Sequence, residues 1–249
     1  MSTKSSINQI ELEKFSKISS QWWQKDGELK ILHQINPIRI GYIIDKIKEH
    51  FNVQDDILPC SNLKILDVGC GGGLITSPLC KLNGIVTGID ALQSNIDIAV
   101  HYASEQSLNI QYLKSTVEEL VYSDDLNKKQ YKYDVVLCLE VIEHIDNPGD
   151  FIKNLASLVK PNGMIIISTI NCTVKSYMLA ILMAEYLLNW VPKNTHDHSK
   201  FLKPSEIYSM FNDNNIGLKE LKGLTYNVVN GRWQLSDDID VNYFAYLTK

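Results

Sequence analysis

The chain has 249 residues, 45% of them hydrophobic, with 24 Lys and Arg against 29 Asp and Glu, for a net charge of -5. This length allows one large α/β domain or two small ones; no Pro/Gly/Ser linker divides the halves, which predicts a single domain, 1–249, with additions, and the acidic balance lacks the basic stripe of a nucleic-acid binder. The five cysteines, Cys60, Cys70, Cys80, Cys138 and Cys172, are odd in number and show no C-x-x-C spacing, so they indicate neither a zinc knuckle nor a disulfide framework.

In chain order, residues 1 to 10 carry no apolar signal core and no Arg-rich transit pattern, which predicts a chain at work in a bacterial cytoplasm. Residues 1–58 read as a helical cap, with helical periodicity over 8 to 50 around Trp22 and Trp23. Asn36-Pro37 would set Arg39 at the start of a cap helix.

Residues 59–170 alternate short apolar strands with helical stretches: Ile65 to Val68, Val86 to Ile89, Ile110 to Leu113, Tyr133 to Leu139 and Met164 to Ser168. That alternation predicts a parallel sheet with helices on both faces. Pro161-Asn162-Gly163 marks a turn before the fifth strand.

Residues 171–204 read as a helical insertion after that strand, and Tyr177 to Leu188 is apolar except for Glu185. A helix of this kind is normally buried; between Lys175 and Lys193, it would alternatively rest on a bilayer or enclose a lipid tail. No run reaches the ~18 apolar residues of a membrane span. In residues 205–249, Ile216 to Tyr226 and Val241 to Thr248 alternate in polarity and would close the sheet with an antiparallel pair.

The stretch Lys64-Ile-Leu-Asp-Val-Gly-Cys-Gly-Gly-Gly-Leu74, followed by Val86-Thr-Gly-Ile-Asp90, reads as strand, glycine turn, helix, strand, acid. Gly69, Gly71, Gly72 and Gly73 allow a tight turn and close approach of a ligand, and Asp90, about 20 residues on, is placed to accept both hydroxyls of a ribose. A dinucleotide fingerprint, G-x-G-x-x-G, would put its third glycine at Leu74 or at Thr76, and both frames fail. What remains is Asp67-x-Gly69-x-Gly71-x-Gly73, whose leading acid suits an ammonium group better than a pyrophosphate. It resembles motif I of class I S-adenosylmethionine (SAM) methyltransferases.

The fourth strand ends at Glu140-Val-Ile-Glu-His144. If the chain turns helical there, Glu140, Glu143 and His144 share a face and would hold a divalent cation, or act as base and orienter; alternatively the acids cap backbone donors. Thr195-His-Asp-His198 offers His196 and Asp197 as a second base and orienter, or as a hydrogen-bonded loop. Arg39 would close on a carboxylate or stay a solvated charge. Trp22 and Trp23 would cover the pocket by stacking or belong to a core.

The whole chain resembles the ubiquinone-biosynthesis O-methyltransferases. The match rests on Trp22-Trp23 with Gly27 and Leu32-His33; Asn36-Pro-Ile-Arg39; Asp67 to Gly73 with Thr87-Gly-Ile-Asp90; Ser168-Thr-Ile-Asn171 with Lys175-Ser176; Ala184-Glu-Tyr186; Val191-Pro-Lys-Asn-Thr-His-Asp197 with Lys200-Phe201 and Pro204; and Asp240-Val-Asn-Tyr243. Asn194 departs from the family, which usually has Gly before Thr-His-Asp.

The resemblance implies a class I SAM-methyltransferase Rossmann-like α/β fold, with a mostly parallel seven-stranded sheet. It implies SAM contacts at Arg39, Gly69, Asp90 and Leu139, the last through its backbone. Mg2+ ligands would be Glu140, Glu143 and His144, which are also the catalytic candidates. It further implies a polyprenylated phenol or quinol substrate, other ubiquinone-biosynthesis proteins as partners, and peripheral contact of residues 171–204 with the inner membrane. Transfer to another small-molecule acceptor, a non-catalytic SAM-binding scaffold and a NAD-dependent oxidoreductase are the competing readings.

Overall fold

The computed structural model describes residue 16 and residues 19–54, 56–122, 132–176 and 200–249. Eight strands form one sheet: β1 (Lys64–Val68), β2 (Ile85–Asp90), β3 (Gln111–Lys114), β4 (Tyr133–Leu139), β5 (Val159–Ile170), β6 (Gly217–Asn227), β7 (Arg232–Ser236) and β8 (Asn242–Thr248). Their order is β3-β2-β1-β4-β5-β8-β6-β7. The first five run parallel, and β8, inserted between β5 and β6, runs antiparallel to both. The chain walks outward from β1 to β3 and then returns to β4. The order therefore reverses beside β1, and the crevice at the carboxyl ends of β1 and β4 is where such sheets take ligands.

Both faces are covered, as the alternation of strands and helices predicts. Along the central strands Ile65, Val135, Leu137 and Ile166 point to one face, and Leu66, Val136, Cys138 and Ile165 to the other. The first face packs under α1 (Lys30–Phe51) through Ile35, Tyr42, Ile43 and Ile47, and under α2 (Thr76–Lys81) through Leu79. The second packs under α5 (Pro148–Leu158) through Phe151, Ile152 and Leu155, and under α6 (Pro204–Asn212) through Ile207 and Phe211. Between these lie α3 (Gln93–Glu105) and α4 (Val117–Tyr122).

Three local readings change. Arg39 is not at a helix start: α1 begins at Lys30, runs 22 residues and contains Pro37. An internal proline costs ~3 kcal/mol. Burial of Ile35, Tyr42, Ile43 and Ile47, each worth about 1.5–3 kcal/mol, outweighs it. Asn36, immediately before Pro37, also donates from Nδ2 to the Leu74 carbonyl at 2.9 Å.

Pro161-Asn162-Gly163 is not a turn ahead of β5 but an irregularity within it, where Asn162 takes φ +60° and the register with β4 shifts. The sheet also has one strand more than the seven expected, because Arg232–Ser236 pairs with β6 as an edge hairpin.

Candidate active site

The glycine turn after β1 is closed by its own backbone. Gly69 and Cys70 both donate to the Ile89 carbonyl, at 2.8 and 3.0 Å, and Gly73 donates to the Cys70 carbonyl at 3.0 Å. Gly71 donates to Asp90 Oδ2 at 3.0 Å. Cradling a pyrophosphate requires such N–H groups to face outward. Here they bind the turn to the end of β2, which agrees with the missing third glycine.

The space beside these glycines is taken by side chains of the same molecule. A Cβ at Gly71 would overlap the Trp22 ring, and one at Gly72 would overlap the Trp22 Cβ and ring. A Cβ at Gly69, which has φ +70°, would overlap Val141. The glycines thus serve internal packing as well as ligand approach.

Trp22 and Trp23 lie between a 3-10 turn, Ser19–Gln21, and α1, and they cover the glycine turn. Trp23 donates from Nε1 to the Gly72 carbonyl at 3.0 Å and stacks on Tyr102 of α3, with ring centroids 3.3 Å apart. His33 Nε2 lies 2.9 Å from the Trp22 carbonyl and ties α1 to this cap.

Asp90, at the end of β2, is held firmly. Its Oδ1 accepts from the Leu92 N–H at 2.8 Å and from Asn95 Nδ2 at 3.2 Å, while Oδ2 accepts from Gly71. Burial pushes its carboxyl pKa up and these donors pull it back. A carboxylate has about four acceptor positions, so three donors leave about one, on Oδ2. The expectation that Asp90 accepts both hydroxyls of a ribose would need a second position, and so the release of one of these three donors.

An acidic and a basic side chain stand buried at the switch point. Asp67, next to last in β1, is 3% exposed, and its Oδ2 has no hydrogen-bond partner among the described residues. Burial, reinforced by the Asp90 charge and opposed by Arg39, pushes its carboxyl up to about 8. Arg39, brought in by α1, is 5% exposed, and its Nε and Nη2 likewise lack acceptors. Nη2 lies 3.0 Å from Glu140 Oε1, but off the bonding direction, so the contact is an ion pair without a hydrogen bond. Leu139 ends β4 between Leu137 and Glu140 with its side chain in the core.

Glu140, Glu143 and His144 do not form a helical face. Glu140 takes φ +55°, which ends β4 in a left-handed kink, and the following helix is a single 3-10 turn, Ile142–His144. Glu140 Oε1 accepts from the Ser168 hydroxyl at 2.8 Å. Glu143, 3% exposed, accepts at Oε2 from the Thr169 hydroxyl at 2.9 Å. Burial, reinforced by Glu140, holds its carboxyl well above the usual carboxylate range.

Among the described residues no three His, Cys, Asp or Glu groups come together as metal ligands. The Mg2+ set implied by the resemblance does not fit this arrangement, in which hydroxyls and a guanidinium already engage the two acids. His196 and Asp197, and the helix expected over Tyr177 to Leu188, lie outside the described residues.

Comparison with known proteins bears on what such a site does. A family described as "Methyltransferase domain" matches residues 38–219. The ubiquinone biosynthesis O-methyltransferase of Rickettsia bellii is 61% identical over 246 residues, covering 98% of this chain and 97% of that protein. The one from Rickettsia conorii is 53% identical over 286 residues, covering 98% and 96%. Magnesium protoporphyrin IX methyltransferase from Synechocystis, solved with bound S-adenosylhomocysteine, superposes with a TM-score of 0.67 at 18% identity over 96% of this chain and 98% of its own. A SAM-dependent methyltransferase from Clostridium acetobutylicum gives a TM-score of 0.59 at 14% identity, over 95% and 98%. These two likenesses establish the fold.

Proposed function

The chain belongs to the ubiquinone biosynthesis O-methyltransferases, SAM-dependent enzymes of the class I fold, and from that premise we propose that it methylates a phenolic hydroxyl of polyprenylated catechol intermediates. The acceptors would be 3-demethylubiquinol and 2-polyprenyl-6-hydroxyphenol.

One observation carries the cofactor assignment. Arg39 and Asp67 are both buried at the switch point, with polar atoms that lack hydrogen-bond partners among the described residues. A zwitterionic amino-acid tail would supply an acceptor for the Arg39 donors that its ion pair with Glu140 leaves unused, and a donor for Asp67; a buried polar atom without a partner is costly. In this assignment Arg39 donates to the tail's carboxylate, Asp67 accepts from its ammonium group, and the free position on Asp90 Oδ2 accepts a ribose hydroxyl. Gly69 and the Leu139 backbone line the approach. Bound SAM supplies an electrophilic methyl carbon on a sulfonium and leaves as the neutral thioether S-adenosylhomocysteine.

The protein must then make the acceptor nucleophilic. A phenol of pKa about 10 is only ~0.1% ionised at pH 7, and removing its proton costs about 4 kcal/mol. His144 is the proposed base. It sits half-buried at the carboxyl end of β4, on the 3-10 turn that follows Glu140. It would take the phenol proton as the oxygen attacks the methyl carbon that bound SAM would supply, with the C–O bond forming as the C–S electron pair is left on sulfur. Glu140 and Glu143, tied to Ser168 and Thr169 of β5, hold this turn against the sheet. The Trp22 and Trp23 cap excludes water, so the reacting atoms are held in near-attack geometry.

The chain leaves β5 at this same carboxyl end of the sheet, and residues 171–204 are proposed to carry the contact with the prenyl tail and with the inner membrane. Among the described residues no helix is long and apolar enough to cross a membrane.

The reading is tested by offering the protein SAM with a short-chain prenyl catechol and, separately, with the same catechol lacking its tail, each with and without EDTA. Preferential methylation of the prenylated acceptor, unaffected by EDTA, is expected. Equal use of both would point to a soluble acceptor; loss with EDTA and recovery with Mg2+ would make Glu140, Glu143 and His144 a ligand set.

A further inference from the structure

Trp22 and Asp90, far apart in sequence, are joined through one side chain. Asn95, on the first turns of α3, is 3% exposed. Its Oδ1 accepts from the Trp22 indole Nε1 at 2.9 Å, and its Nδ2 donates to Asp90 Oδ1 at 3.2 Å. Indole Nε1 can only donate and an ionised carboxylate can only accept, so the two neighbours permit one orientation of the Asn95 amide. Asn95 is thus the middle of a directed chain from the cap to the acid that ends β2. The Trp22 ring is seated at the same time against Gly71 and Gly72, the first of which donates to the other oxygen of Asp90.

We infer that Asn95 is a positioning residue that couples closure of the Trp22 cap to the orientation of the Asp90 carboxylate, and so to the binding of the cofactor's ribose. The inference rests on the assignment of Asp90 to a ribose hydroxyl. With Leu92 and Asn95 both on Oδ1, that oxygen is fully engaged, and Oδ2 keeps its remaining lone pair for the ligand. Without Asn95 the carboxylate keeps one backbone donor on each oxygen, Leu92 on Oδ1 and Gly71 on Oδ2, and loses the side-chain link that ties its orientation to the cap. Coupling of this kind is reciprocal: a ligand hydroxyl that fixes Asp90 also favours the closed cap.

The test measures binding of S-adenosylhomocysteine and of its analogue lacking both ribose hydroxyls, by titration calorimetry, to the wild type and to Asn95→Ala, Asn95→Asp, Trp22→Phe and the Trp22→Phe/Asn95→Ala double variant. In the wild type, loss of the hydroxyls is expected to weaken binding roughly 10- to 100-fold, as for a hydrogen bond to a charged group. Asn95→Ala should reduce that discrimination to within about 3-fold, with KM for SAM raised and kcat at saturating SAM within about 2-fold of wild type. Trp22→Phe removes the indole N–H together with the part of the ring that rests on Gly71, so it should lower the discrimination at least in part, and the double variant should be no worse than the weaker-binding single variant.

Asn95→Asp still accepts from the indole but sets a like charge beside Asp90. It should bind more weakly than Asn95→Ala while keeping wild-type Trp fluorescence, and it carries the test if Asn95→Ala does not fold. A wild type indifferent to the hydroxyls would overturn the ribose assignment itself. A wild type that discriminates, with Asn95→Ala discriminating equally or with fully additive losses in the double variant, would overturn the coupling alone.

Discussion

Arg39 Nη2 and Glu140 Oε1 lie 3.0 Å apart, yet the guanidinium points past the carboxylate, and both Nη2 and Nε keep unused donors. The pair neutralises two charges brought together from α1 and the end of β4 while leaving Arg39 able to bind a second anion. Arg39→Ala is therefore expected to do two separable things. It should raise the dissociation constant for SAM at least 10-fold, and it should lower the unfolding free energy without ligand by about 2 kcal/mol, because Glu140 loses its counter-charge. Urea titrations with and without SAM measure both; an unchanged ligand-induced stabilisation would remove Arg39 from the cofactor site.

Asp67 makes the affinity for SAM depend on pH. Its carboxyl is pushed up to about 8 in the folded protein, well above the ~3.9 of an unfolded chain. Between these values the native state holds a proton that the unfolded state has released, so this group's contribution to stability falls as pH rises through that window. An ammonium ligand favours the ionised form and displaces the proton. Affinity for SAM is expected to rise from pH 5.5 to 7, a range below the titration of the ligand's own amino group. Calorimetry in two buffers of different ionisation enthalpy should register proton release on binding. Asp67→Asn should bind weakly and lose the slope; a wild-type affinity flat across this range would contradict the assignment.

Gly72 tests the cap. No positive φ is required of it, and a Cβ there meets the Trp22 side chain. Gly72→Ala should displace the cap at a cost of about 1–3 kcal/mol, the usual range for overpacking. Proteolysis within residues 19–29 should be faster than in the wild type, and affinity for SAM lower. A wild-type cleavage pattern would mean that the cap yields without opening.

Much of this architecture is legible in the sequence because its signals are local. Runs such as Tyr133 to Leu139 are apolar throughout, as strands covered on both faces must be, and β4 is found at those limits. The strand positions of Asp67 and Asp90 are legible because each lies at or next to the end of a strand beside the glycine turn. What is not legible depends on distant contacts. The Trp22 to Asn95 bond spans 73 residues, and no local pattern announces it. Pro37 reads as a helix start because its local preference is strong, whereas the apolar face of α1 decides otherwise. The kink at Glu140 escapes the helical reading because a left-handed conformation in a residue other than glycine has no sequence mark of its own. The edge strand β7 is only five residues long and follows Gly231, so it reads as part of a turn.

His144 carries the chemical step in this account. His144→Ala should leave the dissociation constant for SAM within about 2-fold and lower kcat by about 10²- to 10⁴-fold, the range for loss of a general base. The deficit should shrink as pH is raised toward the acceptor's own pKa, where the phenolate forms unaided. Turnover equal to wild type at pH 7 would remove His144 from the mechanism.

The central claim is that this site moves a methyl group from SAM to a phenolic oxygen, and a single turnover tests it most directly. Protein loaded with methyl-labelled SAM is mixed with a short-chain prenyl catechol, and the product is identified by mass spectrometry. One labelled phenolic methyl ether per protein, formed with an equal amount of S-adenosylhomocysteine, is the predicted result. Labelled SAM retained without product, or the label found on carbon, would contradict it.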